Sequence, residues 1–371
     1  MKLTKLSLVA ALAVSSAFAG GDIAPVEPVV EAPAPVACNS NTTINGKAVL
    51  YSYTWDNSGN DDWYTGDTSA LGLAATLNVS HKIMDGITAN FTAVGYTNLT
   101  NNYFEEKETG AFFNVANITA TYADTTFVLG RQLLDTPMLG GFDWLLAPGA
   151  FEAYTVVNNS ISNLTLVGSY VAKWRENNTD DNFIDLTDAG DHWTVGAVYS
   201  DAFDASIWYY NVDAFDYTQV YADAGVELSG IKLAAQYVGT DYGIMDDSTA
   251  YGIKASTSLA GFDLMAAYNN VDDNFVGYVG RDSLYTSNWN KFASDTFGDS
   301  YKIEAATEFS GLSVTASYAG FETDVEDGNE FDLILGYGLT DCISLDAIYT
   351  STSYWGEDED NALEFIATYK F

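Results

Sequence analysis

The fold class is decided by the stretch Leu363-Glu364-Phe365-Ile366-Ala367-Thr368-Tyr369-Lys370-Phe371. Counted in twos back from Phe371, one face is apolar and carries Tyr369, Ala367, Phe365 and Leu363. The other face is mostly polar and carries Lys370, Thr368, Ile366 and Glu364. Alternation with a period of two is typical of a β-strand. The stretch therefore predicts an amphipathic strand whose apolar face ends in two aromatic residues.

The amino-terminal residues predict export from the cytoplasm. Lys2 and Lys5 precede an apolar run from Leu6 to Phe18, and Ala17-Phe18-Ala19 has the small-x-small pattern of a cleavage site. This combination is typical of a secretory signal peptide, which we place at residues 1–19. The alternative, a helical membrane anchor, is disfavoured because the run is shorter than the ~20 residues that span a bilayer.

Residues 20–41 predict an extended periplasmic tether. Four of the six prolines lie here, at Pro25, Pro28, Pro33 and Pro35, and prolines at this density favour a polyproline-like chain. A tail without a role is the alternative. No later stretch is apolar over ~20 residues, so a chain that enters a membrane must do so as a closed barrel. The aromatic end of the last strand then resembles the assembly signal of bacterial outer-membrane β-barrels, with Tyr369 and Phe371 as its key residues.

From residue 42 to residue 371 the sequence predicts an all-β, transmembrane antiparallel barrel of 18 strands. The predicted strands are 42–55, 68–80, 86–98, 110–122, 125–131, 150–158, 163–175, 190–200, 203–213, 216–228, 231–240, 248–258, 261–270, 300–309, 311–321, 328–339, 343–353 and 360–371. Their connections alternate between tight turns and long polar loops. Short periplasmic turns and long extracellular loops are typical of outer-membrane barrels.

A repeated hairpin predicts the lipid-facing wall. After each of the turns Ser229-Gly230, Ala260-Gly261, Ser310-Gly311 and Thr340-Asp341, alternate residues are apolar and lead to a tyrosine. We expect these tyrosines to form the outer aromatic girdle at the membrane interface: Tyr237, Tyr268, Tyr318 and Tyr349. The inner boundary would be marked by Leu228, Leu259, Phe309 and Leu339. A soluble sandwich or propeller is the alternative fold.

The net charge and the placement of charged residues limit the functions that the protein can have. The net charge is −37, and removal of residues 1–19 takes away two lysines and makes it −39. Nucleic acid is excluded as a partner, because there is no basic surface to neutralise phosphates. The polar faces of the strands place both signs of charge on the predicted lumen, and six of these residues are our candidates for the channel lining: Lys173, Arg175, Lys232, Lys254, Lys302 and Glu304. An acidic lumen predicts a preference for cations.

Loop 132–149 is the candidate pore constriction. It is too apolar to project into water, since it contains Leu133, Leu134, Met138, Leu139 and Trp144. An 18-stranded barrel also encloses a lumen too wide for side chains to fill. We therefore expect the loop to fold inward, with a set of charged residues at the narrowest point: Arg131, Asp135, Asp143 and Glu152. The alternative is a surface loop with a small hydrophobic cluster.

Two segments in this region carry a family resemblance. Gly130-Arg131-Gln132 with Thr136-Pro137, followed by Pro148-Gly149-Ala150-Phe151-Glu152-Ala153-Tyr154, is similar to the third-loop region of OprD-type porins and of the related epsilonproteobacterial major outer-membrane porins. The resemblance implies an 18-stranded barrel, narrowed by this loop and assembled as a homotrimer. It also implies a basic ladder for carboxylate substrates, of which only remnants would be present here. We expect an integral outer-membrane diffusion porin in contact with lipid, lipopolysaccharide and the barrel assembly machinery.

Other residues suggest weaker hypotheses. Cys38 and Cys342 both map to the periplasmic side, where a disulfide would pin the tether to the rim; two unpaired thiols are the alternative. Residues 56–62 are rich in oxygen ligands, as a Ca²⁺ loop is, but they lack the complete pattern, so a solvated loop is favoured and no cofactor is expected. His81 and His192 lie at opposite strand ends, so an enzyme is disfavoured. The remaining alternatives are a substrate-specific uptake channel, a structural barrel, and a surface receptor or adhesin that uses loop 271–299 with Tyr278, Tyr285, Trp289 and Phe297.

Overall fold

The protein is a closed antiparallel β-barrel. The computed structural model describes residues 41–56, 63–100, 104, 107–142, 146–177, 179–272, 274–323, 327–354 and 359–371. Eighteen long strands follow one another around the barrel, and the first strand closes onto the last from Lys47↔Lys370 to Asp56↔Asn361. The predicted fold class is confirmed.

Each of the 18 predicted strands is present. In chain order the barrel strands are β1 Thr42–Asp56, β2 Ser69–Met84, β3 Ile87–Asn98, β4 Thr109–Tyr122, β5 Thr125–Gln132, β6 Ala150–Ile161, β7 Leu164–Arg175, β8 His192–Ser200, β9 Asp204–Val212, β10 Tyr217–Leu228, β11 Ile231–Tyr242, β12 Ser248–Leu259, β13 Phe262–Asp272, β14 Gly298–Phe309, β15 Leu312–Glu322, β16 Asp327–Thr340, β17 Ile343–Tyr354 and β18 Asp360–Lys370. A short strand, Ile184–Asp185, extends the sheet at the rim beside β7. A two-residue hairpin, Asp135–Thr136 with Leu139–Gly140, lies in the β5–β6 loop.

The tight turns all lie at one end of the barrel. In Ser229-Gly230, Ala260-Gly261 and Ser310-Gly311 both residues have positive φ, near +54° and +82° in the first of them. Two residues of positive φ define the type I′ hairpin, whose twist matches that of the flanking strands. The fourth predicted turn is displaced by one residue, since Thr340 still belongs to β16 and the turn is Asp341-Cys342. A bulge between Gly338 and Thr340 causes the shift.

The outer wall is apolar, as the hairpin repeat predicts. Leu228, Leu259, Phe309 and Leu339 are exposed at the turn end of the barrel. Towards the opposite rim, Tyr237, Tyr251 and Tyr301 are exposed on the same wall, and the Tyr301 and Tyr318 rings lie 6.2 Å apart. The barrel therefore presents an aliphatic band bordered by aromatic rings, which is the surface that a lipid bilayer requires.

No helix among the described residues is long and apolar enough to cross a membrane.

Candidate functional site

The β5–β6 loop folds into the lumen over its described residues 134–142 and 146–149. Leu134, Met138 and Leu139 are buried against inward-facing residues of the barrel wall. The Tyr210 hydroxyl of β9 fixes this loop, because it donates to Thr136 Oγ1 at 3.2 Å and accepts from the Met138 N–H at 3.2 Å. The side chains of Leu134, Met138 and Leu139 are apolar because they pack on the inner wall away from bulk water, whereas Leu133 at the start of the loop is 46% exposed.

A second loop also fills the lumen. In the β13–β14 loop, described over residues 274–297, every residue from Asp282 to Trp289 is buried. Val276, Val279, Leu284 and Ala293 join the same core as the β5–β6 loop. Polar side chains of the wall hold its backbone, since Gln219 Nε2 donates to Gly277 O at 2.7 Å. The receptor or adhesin alternative requires Tyr285 and Trp289 on an exposed contact surface, but both are buried inside the barrel.

The two loops are joined to each other across the lumen. Leu139 and Val279 form a parallel β-bridge, in which the Val279 N–H donates to Met138 O at 2.9 Å and the Gly140 N–H donates to Val279 O at 3.0 Å. Gly280 is required beside the bridge, since its φ is +81° and a Cβ would lie 2.1 Å from Gly140 O. Arg281 forms an ion pair with Asp135 next to this contact. The two loops therefore act as one transverse unit.

The far edge of the β13–β14 loop rests on acidic residues of the inner wall. The Trp289 N–H donates to Asp332 Oδ2 at 3.3 Å, and the Asn290 N–H donates to Glu330 Oε1 at 2.7 Å. Lys302 Nζ, which is 2% exposed, donates to Ser287 O at 3.1 Å and lies 3.4 Å from Glu304. Backbone N–H groups of the loop thus satisfy carboxylates that would otherwise be costly to bury.

Asp282 organises the interior of this loop. Ser287 Oγ donates to Asp282 Oδ1 at 2.8 Å, and the Ser294 N–H donates to Asp282 Oδ2 at 3.0 Å. Burial raises the pKa of the Asp282 carboxyl to about 6, and the hydrogen bonds from Ser294 and Ser287 offset only part of that effect. Burial also lowers the pKa of Lys291 and raises the pKa of Asp295. Ionisation of the loop near neutral pH therefore works against its packing.

The raised pKa of Asp282 predicts that the packed loop is more stable in acid. The carboxyl binds its proton more tightly in the packed loop than in water, so the stabilisation is complete below about pH 4 and is lost as the pH rises through about 6. Over that range the loss is on the order of 3 kcal/mol. Amide hydrogen exchange over residues 282–294, corrected for intrinsic rates, should be faster at pH 7.5 than at pH 5.

Asp282→Asn is the matched variant for this prediction. It keeps the size of the side chain but does not titrate, so the pH dependence of exchange in the loop should become much weaker, and what is left reports Lys291 and Asp295. Peptides from residues 184–190 serve as the internal reference, because they lie outside the lumen loops. An equal pH dependence in the variant and the wild type would contradict the assignment to Asp282.

Three of the predicted lumen and constriction residues lie on the other side of the wall. Arg131 alternates with Phe127 and Leu129, which are exposed on the outer surface, and its strand pairs it with Glu152. Arg131 Nε lies 3.6 Å from Glu152 Oε2, and Lys173 Nζ lies 3.7 Å from Asp185 Oδ2. Placing Arg131 and Glu152 in the constriction and Lys173 in the lumen is therefore wrong. These residues form an ionic group on the outer face of the rim.

The other predicted residues divide into buried supports and lumen-facing charges. Arg175 is fully buried over the Phe112 ring, and it donates to Pro148 O and Asp180 O, so it fixes two loops. Lys254 lies 4.3 Å from the centroid of the Tyr285 ring, beneath the β13–β14 loop. Lys232 and Glu304 face the lumen by strand alternation. Asp135 is at the junction of the two loops, where it forms an ion pair with Arg281, a residue that the sequence did not single out.

Several predictions fall on segments that the structure does not describe, or are not tested by it. The signal peptide, the tether, Cys38, Asp143 and residues 57–62 of the Ca²⁺ hypothesis lie outside the described residues. Cys342 is exposed in its turn, so the disulfide stays a prediction. His81 on β2 contacts Thr42 on β1, whereas His192 is buried against Leu186 at the opposite rim. Within the described ranges, no three His, Cys, Asp or Glu side chains group closely enough to hold a metal ion.

A closed barrel with an apolar outer wall, a charged inner wall and loops folded into its lumen defines a channel of the porin class, integral to the outer membrane. Comparison with protein families supports the same class: the model of the Campylobacter major outer membrane protein family matches residues 1–202, more than half of the chain. The chain belongs to that family. Porins are channels without enzymatic activity.

Solved porin structures share the fold. The OccK8 (OprE) structure from Pseudomonas aeruginosa has a TM-score of 0.75 and 14% identity, with 89% of this chain and 98% of that chain covered. A BenF-like porin from Pseudomonas fluorescens Pf-5 has a TM-score of 0.75 and 14% identity, with 88% of this chain and 98% of that chain covered. OccK2 (OpdF) from Pseudomonas aeruginosa, solved in complex with glucuronate, has a TM-score of 0.75 and 16% identity, with 89% of this chain and 98% of that chain covered. A comparison with curated protein sequences finds no match.

Proposed function

We propose that this chain forms a passive diffusion channel for ions and small hydrophilic solutes, that it prefers cations, and that the β5–β6 and β13–β14 loops together narrow it. The proposal replaces a one-loop constriction with a two-loop constriction. The charged pair Asp135–Arg281 lies where the loops meet, and both side chains keep about a quarter of their surface exposed, at 30% and 26%. Solutes would pass beside this pair.

The observation that carries the cation preference is the acidity of the inner wall. Strand alternation points about twice as many acidic residues as lysines into the lumen. The acidic residues are Asp204, Asp223, Glu227, Asp263, Glu304, Glu308, Glu330, Asp332, Asp346 and Glu364, and the lysines are Lys47, Lys232, Lys254, Lys302 and Lys370. Glu227, Asp263 and Glu308 are exposed towards the turn end. A fixed negative charge in a low-dielectric wall concentrates cations and repels anions.

A carboxylate-specific channel is the second candidate, because OccK2 has been solved with glucuronate. The placement of the basic residues disfavours it. Arg175 and Lys302 are buried supports, and Lys173 faces outward. Of the five candidate remnants of a basic ladder, which also include these three residues, Lys232 and Lys254 are the two that face the lumen without being fully buried. A receptor or adhesin is also disfavoured, since the aromatic loop that would contact a partner is folded inside.

Reversal potentials in a KCl gradient test the cation preference. We expect K⁺ to permeate roughly three- to tenfold better than Cl⁻. The triple variant Glu227→Gln, Asp263→Asn, Glu308→Gln should lose most of that ratio. Glu152→Gln is the matched control, because it removes a carboxylate from the outer wall and should leave the ratio unchanged. Anion selectivity of the wild type would overturn the proposal.

The predicted partners belong to the same proposal. The family resemblance implies a homotrimer, and the apolar outer wall suits contact with lipid and lipopolysaccharide. Native mass spectrometry of the detergent-extracted protein tests the trimer, and a monomer that still conducts would remove it.

A further inference from the structure

One buried carboxylate joins the pore loop to the seam at which the barrel closes. Glu364 faces inward from β18, the last strand, and is 1% exposed. Its Oε1 accepts a hydrogen bond from Trp289 Nε1 of the β13–β14 loop at 2.6 Å. Its Oε2 accepts a hydrogen bond from the Tyr51 hydroxyl of β1, the first strand. The same side chain therefore contacts the loop and both strands of the seam.

The seam is the one place in the barrel where neighbouring strands are not joined by a nearby turn or loop. β1 and β18 pair over the whole range Lys47–Asp56 and are brought together only when the sheet closes on itself. Side chains that bridge the two strands therefore hold the barrel closed. Tyr51 is 2% exposed and also packs edge-on against Phe104, with ring centroids 4.8 Å apart, so its hydroxyl has little freedom to turn elsewhere.

The energetics of a buried carboxylate make this arrangement cooperative. If the loop withdraws, Oε1 exchanges the Trp289 donor for water of the lumen, and the hydrogen bond from Tyr51 to Oε2 is no longer shielded from water. If the seam opens, Oε2 loses its donor while the loop still keeps the carboxylate buried. Each event removes part of the environment that the other needs. Two events that share one buried group are coupled, and the coupling acts equally in both directions.

We propose that Glu364 is a positioning residue that couples the seating of the β13–β14 loop in the pore to the closure of the barrel. The inference rests on the proposed function in one respect, that this loop narrows the channel. It predicts that a change at the seam alters the current, and that a change in the loop alters the stability of the closed barrel.

Three variants of the full-length protein test the coupling. Current is recorded in planar bilayers. The stability of the closed barrel is measured by heat modifiability, as the temperature at which the protein loses the fast gel mobility of the folded barrel. Tyr51→Phe removes the hydroxyl on the seam without touching the loop. Trp289→Phe removes the indole N–H without touching β1. Glu364→Gln leaves one oxygen to accept both donors. Tyr349→Phe is the control, since it removes the hydrogen bond from Tyr349 to Asn361, 2.5 Å long, between β17 and β18 away from the loop.

Tyr51→Phe should raise the frequency of high-conductance openings about fivefold, the equivalent of one net hydrogen bond. Trp289→Phe should lower the temperature of barrel opening. In the double variant Tyr51→Phe, Trp289→Phe, the change in opening frequency and in opening temperature should be no larger than the larger change in either single variant. Current traces of Tyr51→Phe that match the wild type, or additive effects in the double variant, would overturn the inference. If Glu364→Gln fails to fold, the two single variants still test it. The proposed function fails separately, if excision of the loop leaves the conductance unchanged.

Discussion

Channels in which residues 278–292 are replaced by a two-glycine turn should conduct about two- to fivefold more current than the wild type, because excision removes one of the two loops that fill the lumen. The ends of the excised segment are already adjacent, since the Val276 N–H donates to Ser294 O at 3.0 Å. The turn therefore joins Gly277 to Ala293 without moving β13 or β14. Single-channel recording in symmetric KCl measures the change.

The excision should also alter selectivity. It removes Arg281 and Lys291 together with one acid, Asp282, a net charge of +1, and it uncovers Glu330, Asp332 and Glu364 on the wall. Both changes make the open path more acidic, so the ratio of K⁺ to Cl⁻ permeability should rise together with conductance. A channel that was merely damaged would lose selectivity as it widened. The sign of the change in selectivity therefore separates removal of a constriction from a non-specific leak.

The matched control replaces residues 243–247 with the same two glycines. This connection projects into solvent, where Ile244 is 90% exposed, so its loss should leave the current unchanged. Heat modifiability confirms that each variant still forms the barrel. If the excised channel folds and conducts like the wild type, the β13–β14 loop lies outside the ion path and the two-loop constriction is wrong.

The β13–β14 loop shows why sequence reasoning missed half of the site. Five of the eight residues from Asp282 to Trp289 are polar, and largely polar loops of outer-membrane barrels ordinarily face water. What buries it is a set of partners far away in sequence, such as Asp332 and Glu364. Its length was the available signal, because loops beyond about 15 residues are uncommon and often functional. The β5–β6 loop was recognised because its apolar residues are local.

Arg131 and Glu152 show how the alternation rule fails beside a filled lumen. On β6 the inward residues Phe151, Ala153 and Val157 are apolar because they pack on the inserted loops. The outward residues Glu152 and Tyr154 are the more polar set there. A rule that places polar residues inside a barrel therefore assigns these strands to the wrong face. Strands β10 to β18 follow the rule, because much of their inner wall meets water or polar parts of the loops.

The strands themselves were predictable because their determinants are local. Glycine at positive φ specifies each type I′ turn, and the period of two between turns fixes the face of every residue. Closure between β1 and β18 follows once the last strand is recognised as amphipathic. The four predicted tight turns shifted by at most one residue, as at Asp341-Cys342, where a bulge lengthens β16. Elsewhere β2 runs four residues and β6 three residues past the predicted end.

Deletion of Phe371 should lower the yield of folded barrel at least about tenfold, because it removes backbone and aromatic contacts from the seam. The Phe371 N–H donates to Gly46 O at 3.0 Å and the Gly46 N–H donates to Phe371 O at 2.9 Å. The ring lies over Gly46, where an added Cβ would come within 2.5 Å of it, and 6.0 Å from the ring of Tyr369. Folding into liposomes that contain the barrel assembly machinery measures the yield.

Three further variants separate the contributions of the ring and the backbone. Phe371→Tyr keeps both and should fold like the wild type, whereas Phe371→Ala keeps only the backbone pairing and should be intermediate. Phe309→Ala is the control for loss of an outer aromatic, since Phe309 is 76% exposed beside a turn and far from the seam. Barrels that do form without Phe371 should conduct like the wild type, because the ring lies outside the lumen. A normal yield from the deletion variant would show that the residue pairs from Lys47↔Lys370 to Asp56↔Asn361 are enough to close β1 onto β18. Phe371 would then not be an assembly signal.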